Sequence, residues 1–375
     1  MLNDKKILVI TTTDNMIWQF LIPHIKRLQE RGNVVECVCA KTGFWFDELT
    51  NKYGFKMHEI SFERNPFKFK NFKAYNSLKK LQKDNNYEVI YCQQPVGALM
   101  GRLLGKKFKI PVIYTAHGFH FYKKCSIKNK ILYKTAEKWL SKYTDVLITI
   151  NDEDFEAAKK FNAKQVYKIS GIGFDGKKYN APVTNNRSEI KKALGLNEDD
   201  FVITTIAEFI KRKNYNTMLK VVSNLKYKIP NLKFLICGTG KLENNIKVQI
   251  KNLNLDNIVK ILGYRRDINK ILTISDVFML PSYHEGLTLS VIEAMNFGVP
   301  CVVSDVRGNR DLIINNKGGF VFPPNDSDNF ANSILKIYND KTLASNFSSF
   351  NKNQSKKYSI ENVLCELDNI YNSIE

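Results

Sequence analysis

The 375-residue chain contains no apolar run approaching the roughly eighteen residues that cross a bilayer, so an integral membrane protein is not expected. Its opening, Met-Leu-Asn-Asp-Lys-Lys, turns polar too early for a secretory leader, and the apolar residues that follow read as a first buried strand. Cysteine is sparse: there are seven, an odd number with no metal-ligand spacing, and Cys37 and Cys39 alternate with apolar residues as in a strand. That pattern excludes a disulfide scaffold and a zinc module, and predicts reduced, mostly buried thiols in a cytosolic protein. No Asp-x-Asp pair stands in a plausible site; Asp152-Glu153-Asp154 reads as the first turn of a helix, and neither a metal site nor a cofactor is expected. No short-period repeat and no low-complexity tract is present, which excludes solenoids. Acid is in deficit, with 37 Asp and Glu against 57 Lys and Arg and a net charge of +20, a fact that bears on partners rather than on fold.

The basic excess is uneven. Arg64, Lys68, Lys70, Lys73, Lys79, Lys80 and Lys83 crowd one stretch, where residues 62–75 also interleave aromatics with lysines. Residues 102–142 carry eleven basic side chains against one acid, Glu137. Lipid headgroups, a polyphosphate ligand or single-stranded nucleic acid all suit such a field, and a solvated helix with buried aromatics suits the first stretch equally.

Short β-branched runs at residues 7–11, 34–40, 89–93, 112–116, 146–150 and 166–169 alternate with helical stretches such as 17–31 and 155–161. The habit repeats at 202–207, 234–237, 259–262, 277–280 and 301–304. Alternation of this kind predicts an α/β protein of two doubly wound, Rossmann-like domains with ligands at the carboxyl ends of parallel strands. The polar, aperiodic stretch from 180 to 187 falls at the join, giving domains at 1–178 and 179–358, and residues 360–374 have the pattern of an amphipathic helix.

Residues 281–300, Pro-Ser-Tyr-His-Glu-Gly-Leu-Thr-Leu-Ser-Val-Ile-Glu-Ala-Met-Asn-Phe-Gly-Val-Pro, carry the most chemistry. An apolar strand runs into a polar turn, and a helix opens near Thr288. Unpaired amides and the partial positive charge of a helix start suit a diphosphate. Glu285 just before that turn and Glu293 just inside it cannot both favour an anion, so they read as acceptors for hydroxyls on either side of it, the layout of a nucleotide sugar. The alternative is a loop charge and a solvated glutamate.

The Glu-Gly-Leu core, the second glutamate and the Ala-Met-x-x-Gly-x-Pro tail closely resemble the donor-site motif of the retaining glycosyltransferases of family four, the group 1 enzymes of the GT-B fold. The resemblance implies two Rossmann-like domains facing a central cleft, with the last helix, 359–375, crossing back to an acceptor-binding first domain. It implies that Glu285 meets the donor sugar, that the amides of Gly286, Leu287 and Thr288 meet the phosphates, and that Glu293 meets the ribose. Lys213 matches the family lysine in Lys211-Arg212-Lys213, where a solvated charge run is the alternative. Glu208 stands where family members carry arginine, leaving Arg212 as a substitute for the missing charge. Gly238 and Gly240 resemble the Gly-x-Gly that lines the donor cleft, or form a plain tight turn. Tyr264 or Arg265 falls where the base is held, or in an ordinary loop. His117 and Gly118 match the histidine–glycine pair at the cleft rim, with Phe119, Phe121 and Tyr122 as an apolar wall for the acceptor.

The resemblance thus gives His117, Lys213 and Glu285 as catalytic, and Gly118 with His120 on the acceptor side. Thr13 and Asp14 replace the usual Gly-Gly of the first loop as acceptor contacts. The expected reaction is metal-independent, retaining transfer from a nucleotide sugar, most simply a UDP-sugar, to an undecaprenyl-diphosphate-linked saccharide in capsule, exopolysaccharide or glycan assembly. It would take place at an anionic membrane surface on the cytoplasmic side, and nucleic acid is not the expected partner. The rivals are a GT-B sugar-nucleotide epimerase and a polyanion- or nucleic-acid-binding protein.

Overall fold

The computed structural model describes residues 2–63, 68–123, 125–176 and 186–374, so Arg64, and most of the expected join at 180–187, lie outside the described residues. The chain forms two compact units, Met1–Gly173 with Ile360–Glu375, and Phe174–Ser359.

In the first unit, seven strands form one parallel sheet: β1 (Lys6–Thr13), β2 (Val34–Ala40), β3 (Lys56–Glu59), β4 (Val89–Gln93), β5 (Val112–Ala116), β6 (Val146–Thr149) and β7 (Gln165–Lys168). Their order is β3-β2-β1-β4-β5-β6-β7, so the winding reverses between β1 and β4. Every residue of β4, β5 and β6 is buried, because helices cover both faces of a parallel sheet. The second unit has β8 (Phe201–Ile206), β9 (Leu232–Cys237), β10 (Val259–Gly263), β11 (Val277–Leu280), β12 (Cys301–Ser304) and β13 (Gly319–Phe322), all parallel, in the order β10-β9-β8-β11-β12-β13. Here the reversal lies between β8 and β11. At such a reversal the loops leaving the two strands diverge to opposite faces and open a crevice.

The last helix, Ile360–Ser373, belongs to the first unit, as the resemblance implied. Ile360, Val363, Leu367 and Ile370 recur at helical spacing and are buried, while Asp368 receives Arg27 at 2.5 Å and Arg31 at 3.2 Å from the helix Ile22–Glu30. The expected helix 17–31 is broken: a turn at Asp14–Met16 and a π-helical turn at Ile17–Leu21 precede Ile22–Glu30. Pro23, at the start of the regular segment, has no amide to continue an upstream ladder. The helix expected at 155–161 starts earlier, at Asp152, with the Asn151 side chain accepting from the Asp154 amide.

Candidate functional site

At the β8–β11 reversal, two loops of the second unit bring three charged side chains together. After β8 the chain makes a 3-10 turn, Lys211–Lys213, and leaves it through Asn214 in the left-handed region at φ 59°. The Asn214 side-chain amide donates to the carbonyls of Pro281 at 3.0 Å and Pro324 at 2.8 Å, tying the loops after β8, β11 and β13. So fixed, Lys213 Nζ lies 2.7 Å from Glu285 Oε1, and Arg212 donates to Glu285 Oε2 at 2.6 Å and to the His284 carbonyl at 3.0 Å. Glu285 and Lys213 are both buried. Burial pushes the Glu285 carboxyl up, but the Lys213 and Arg212 charges outweigh it and hold the group below its ordinary value. Burial pulls the Lys213 ammonium below its ordinary value, with the Arg212 charge pulling the same way against Glu285. The cluster is a carboxylate with two cations, an assembly able to accept from a hydroxyl and to receive an anion at one point. Glu208 is exposed; it makes no contact with Glu285, and its charge favours the Lys213 ammonium from outside the cluster.

The helix that follows, Leu289–Asn296, has Thr288 at its N-cap, yet the Thr288 hydroxyl does not cap it; it donates to Asn309 Oδ1 at 2.8 Å. Among the described residues the amides of Gly286, Leu287 and Thr288 have no hydrogen-bond acceptor. They form a run of donors at a positive helix end. Glu293 falls at the fifth helical position and is buried, one turn deeper than the first-turn placement expected from sequence.

Residues that sequence reasoning missed hold this loop. Arg307 is buried and donates from Nε to the Glu285 carbonyl at 2.9 Å. Gly308 sits at φ 79°, and a Cβ there would lie 2.3 Å from the Gly286 carbonyl oxygen. Asn309 Nδ2 donates to Ser304 Oγ at 3.2 Å, and Ser304 Oγ to the Ser282 carbonyl at 2.6 Å. The loop after β12 is thus a template for the loop after β11; its only sequence signal was the single glycine.

Gly238 and Gly240 serve the backbone. A Cβ on Gly238 would lie 2.0 Å from the Ala207 carbonyl oxygen, and one on Gly240 would lie 2.8 Å from the Phe209 amide nitrogen. Phe209 N donates to the Thr239 carbonyl at 2.9 Å between the two glycines. Close approach is real here, but to the loop after β8. Tyr264 is exposed, while Arg265 is taken up in a two-pronged pair with Asp267 at 2.8 and 2.6 Å.

In the first unit, β5 delivers His117, whose Nε2 lies 2.5 Å from Oε1 of buried Gln93 at the end of β4. An amide oxygen only accepts, so Nε2 carries the hydrogen and Nδ1 remains an acceptor. Burial lowers the His117 pKa to about 4, and neighbouring His24 adds to the shift. Gly118 follows at φ 131°. His120 is exposed, its ring 5.2 Å from that of Tyr133.

Two acceptor-side expectations need correction. Phe119 and Phe121 stack at 4.9 Å inside the core with Phe161 behind them, so they are not a wall open to a ligand. The carboxylate of Asp14 is fully buried and accepts from the Thr42 amide and hydroxyl and from the Asn15 amide, so it fastens the loop after β2. Thr13 ends β1, two residues beyond the expected strand end, and is partly exposed. All seven cysteines are free; burial pushes the Cys37, Cys92 and Cys237 thiols up to about 12.

The profile of the family described as Glycosyl transferases group 1 matches residues 186–354, and that described as Glycosyl transferase 4-like matches residues 6–151. The chain is 31% identical over 374 residues to EpsD of Bacillus subtilis, a protein named as a glycosyltransferase, covering 98% of this chain and 97% of that protein. It is 35% identical over 289 residues, 75% of this chain and 74% of the other, to the Escherichia coli UDP-Gal:alpha-D-GlcNAc-diphosphoundecaprenol alpha-1,3-galactosyltransferase. A crystal structure of HepE from Anabaena in complex with UDP and glucose superposes with a TM-score of 0.82 at 19% identity, over 99% of this chain and 100% of that one.

Proposed function

From the premise that the chain belongs to the group 1 glycosyltransferases of family four, with the GT-B fold, we propose that it moves a sugar from a UDP-sugar to an undecaprenyl-diphosphate-linked saccharide with retention of configuration. The observation that carries the donor reading is the Glu285 carboxylate, held between Arg212 and Lys213 beside the amides of Gly286, Leu287 and Thr288, which meet no acceptor among the described residues. In this reading those amides and the two cations take the diphosphate. As the bond from the anomeric carbon to the phosphate oxygen lengthens, negative charge builds on that oxygen, and donors already fixed in place stabilise it without reorganising. No metal ion is needed for that task.

Glu285 accepts from hydroxyls of the transferred sugar and Glu293 from the ribose. Tyr264, the more exposed of the two residues proposed for the base, is favoured over Arg265, which Asp267 already holds. His117, neutral at physiological pH, offers an acceptor nitrogen to the sugar or to the incoming hydroxyl, with Gly118 and His120 beside it in sequence and Thr13 on the loop after β1. Charge stabilisation and positioning carry the rate, and the departing phosphate takes the proton of the attacking hydroxyl.

The lipid-linked acceptor is supported by the E. coli relative, whose name specifies a diphosphoundecaprenol substrate, and the setting would be polysaccharide assembly at the inner face of the cell membrane. Among the described residues no helix is long and apolar enough to cross a membrane. The test is nucleotide release from a panel of UDP- and GDP-sugars, with and without a short-chain lipid-diphosphate saccharide, and assignment of the product anomer by NMR. An α-linked product from a UDP-sugar, dependent on acceptor, is expected; a β-linked product, or no release from any donor, contradicts the reading.

A further inference from the structure

Thr288 has the backbone of a helix cap and does not act as one. Its φ of −89° and ψ of 106° lie in the extended region that a capping residue adopts, and threonine is among the residues preferred there. A capping oxygen accepts from the amide two or three positions on, here Ser290 or Val291. Val291 already donates to the Thr288 carbonyl at 3.1 Å, so Ser290 is the amide left for a cap, and it does not meet the Thr288 hydroxyl. Five other helices are capped by the side chains of Ser126, Asn151, Asn186, Asp326 and Asp340. The first turn of Leu289–Asn296 also holds no acid, so no carboxylate of its own meets the positive end of that helix.

The hydroxyl is held elsewhere by a chain of hydrogen bonds whose direction is fixed. The Ser282 carbonyl only accepts, so the Ser304 hydroxyl gives it its one hydrogen at 2.6 Å. Ser304 Oγ is then an acceptor, and it takes Asn309 Nδ2 at 3.2 Å. That turns Asn309 Oδ1 toward Thr288, and an amide oxygen accepts only, so Thr288 Oγ1 donates to it at 2.8 Å. Ser282, Thr288, Ser304 and Asn309 are all buried, which keeps these bonds out of reach of bulk water. A hydroxyl that donates still has lone pairs, but the orientation that reaches Asn309 leaves Oγ1 without an amide of its own helix. In consequence the amides of Leu289 and Ser290, like the three before them, meet no acceptor among the described residues. A cap left unmade forgoes on the order of a fivefold factor in helix stability, and the chain commits a fully buried asparagine to leaving it unmade. Local rules broken in this way mark functional positions.

We propose that Asn309 is a positioning residue for the donor: by holding the Thr288 hydroxyl away from its own helix, it keeps the amides of Leu289 and Ser290 open to the diphosphate. Asn309 touches no substrate itself. An anion at a helix start takes the place that a capping oxygen would otherwise fill, so the two compete for the same donors. The proposal rests on the reading of this turn as the diphosphate site, and adds to it the residue that stops the site from closing on its own side chain. A merely structural Asn309, tying the loop after β12 to the loop after β11, would give a loss on removal that no change at Thr288 repairs.

The test compares the full chain with Asn309→Leu, which keeps a branched side chain and has no acceptor, and with the double variant that adds Thr288→Val, which keeps the shape of threonine and has no hydroxyl. Freed from Asn309, the Thr288 hydroxyl turns to its own helix. Amide exchange at Ser290 in the unliganded chain, followed by NMR, should slow by about fivefold in Asn309→Leu, the worth of a cap. UDP affinity, read by titration calorimetry, should fall by at least about the same factor. The double variant has nothing to cap with, so it should bind UDP more tightly than Asn309→Leu does, although it has lost more contacts. In the wild type the Ser290 amide should exchange freely without UDP and be protected at saturating UDP, a measurement that needs no variant to fold. Unchanged exchange in Asn309→Leu, a double variant that binds UDP no more tightly than the single one, or a Ser290 amide protected in the unliganded wild type would overturn the proposal. If the wild type binds no UDP, the donor reading falls, and the exchange rates still decide whether Asn309 keeps the helix start uncapped.

Discussion

Replacing Glu285 by Gln keeps the shape of the side chain and removes the charge on which Lys213 and Arg212 converge at 2.7 and 2.6 Å. Breaking a buried ion pair from one side costs about 3–5 kcal/mol, because the other charge stays buried without compensation. Lys213 can recover part of that by losing its proton, which burial already favours, and Arg212, being partly exposed, can recover part through water. A net loss of about 2–4 kcal/mol is the expectation. For a unit of this size that corresponds to a fall of about 4–16 °C in Tm.

The pH dependence fixes the sign. Glu285 is held below its ordinary value in the folded chain, so its contribution is complete above the unfolded value of about 4.3 and is lost as pH falls through the lower folded value. Differential scanning calorimetry of both proteins should show a constant gap near neutrality that closes in acid. Sugar transfer should drop by about a hundredfold or more, as when a preorganised electrostatic contact is removed. A variant with unchanged Tm and unchanged transfer would refute the clamp and its role together; a gap that persists undiminished in strong acid would refute the charge argument alone.

Gly308→Ala places a methyl group 2.3 Å from the Gly286 carbonyl oxygen at φ 79°, so donor KM should rise at least tenfold or so while acceptor KM stays, read from initial rates. Gly238→Ala meets the Ala207 carbonyl at 2.0 Å and should lower Tm by several degrees, on the order of 2 kcal/mol. Burial lowers His24 to about 4, so the folded chain resists its protonation: stability should be level above the unfolded value of about 6.5 and decline as pH falls from there to about 4. His24→Gln, which keeps a donor for the Ile172 carbonyl that His24 meets at 2.6 Å, should flatten that decline in acid-unfolding curves. His117→Ala should lower kcat by roughly 10²-fold, and the wild-type rate profile should show no ionisation near pH 6.5, since His117 is neutral down to about 4.

The central strands were legible because a parallel sheet covered on both faces must be written in unbroken apolar runs, as in β5, Val112–Ala116. Two of the four edge strands, β7 and β10, were legible as well, but β3 and β13 were not: β3 is Lys-Met-His-Glu, half solvated, and β13 begins with Gly319, whose Cβ would strike the Cys301 carbonyl at 1.7 Å. The meeting of Lys213 with Glu285 was legible as two loops after two strands, because strand order at a winding reversal brings those loops together. Arg307 and Asn309 were not, since a residue that acts by holding a neighbouring backbone has no chemical type of its own to betray it. Asp14 misled for a related reason. A carboxylate at a strand end looks available in sequence, and only the fold shows that the Thr42 amide has claimed it at 3.1 Å.

The central claim is that the turn between β11 and its helix grips a nucleoside diphosphate through backbone donors. Titrating the isotopically labelled chain with UDP, while following the amide resonances of residues 286–288, tests it directly. Saturable downfield shifts of those three amides, weakened in the Glu285→Gln variant, are the predicted result. Amides that stay in place while UDP binds elsewhere, or does not bind, would contradict it.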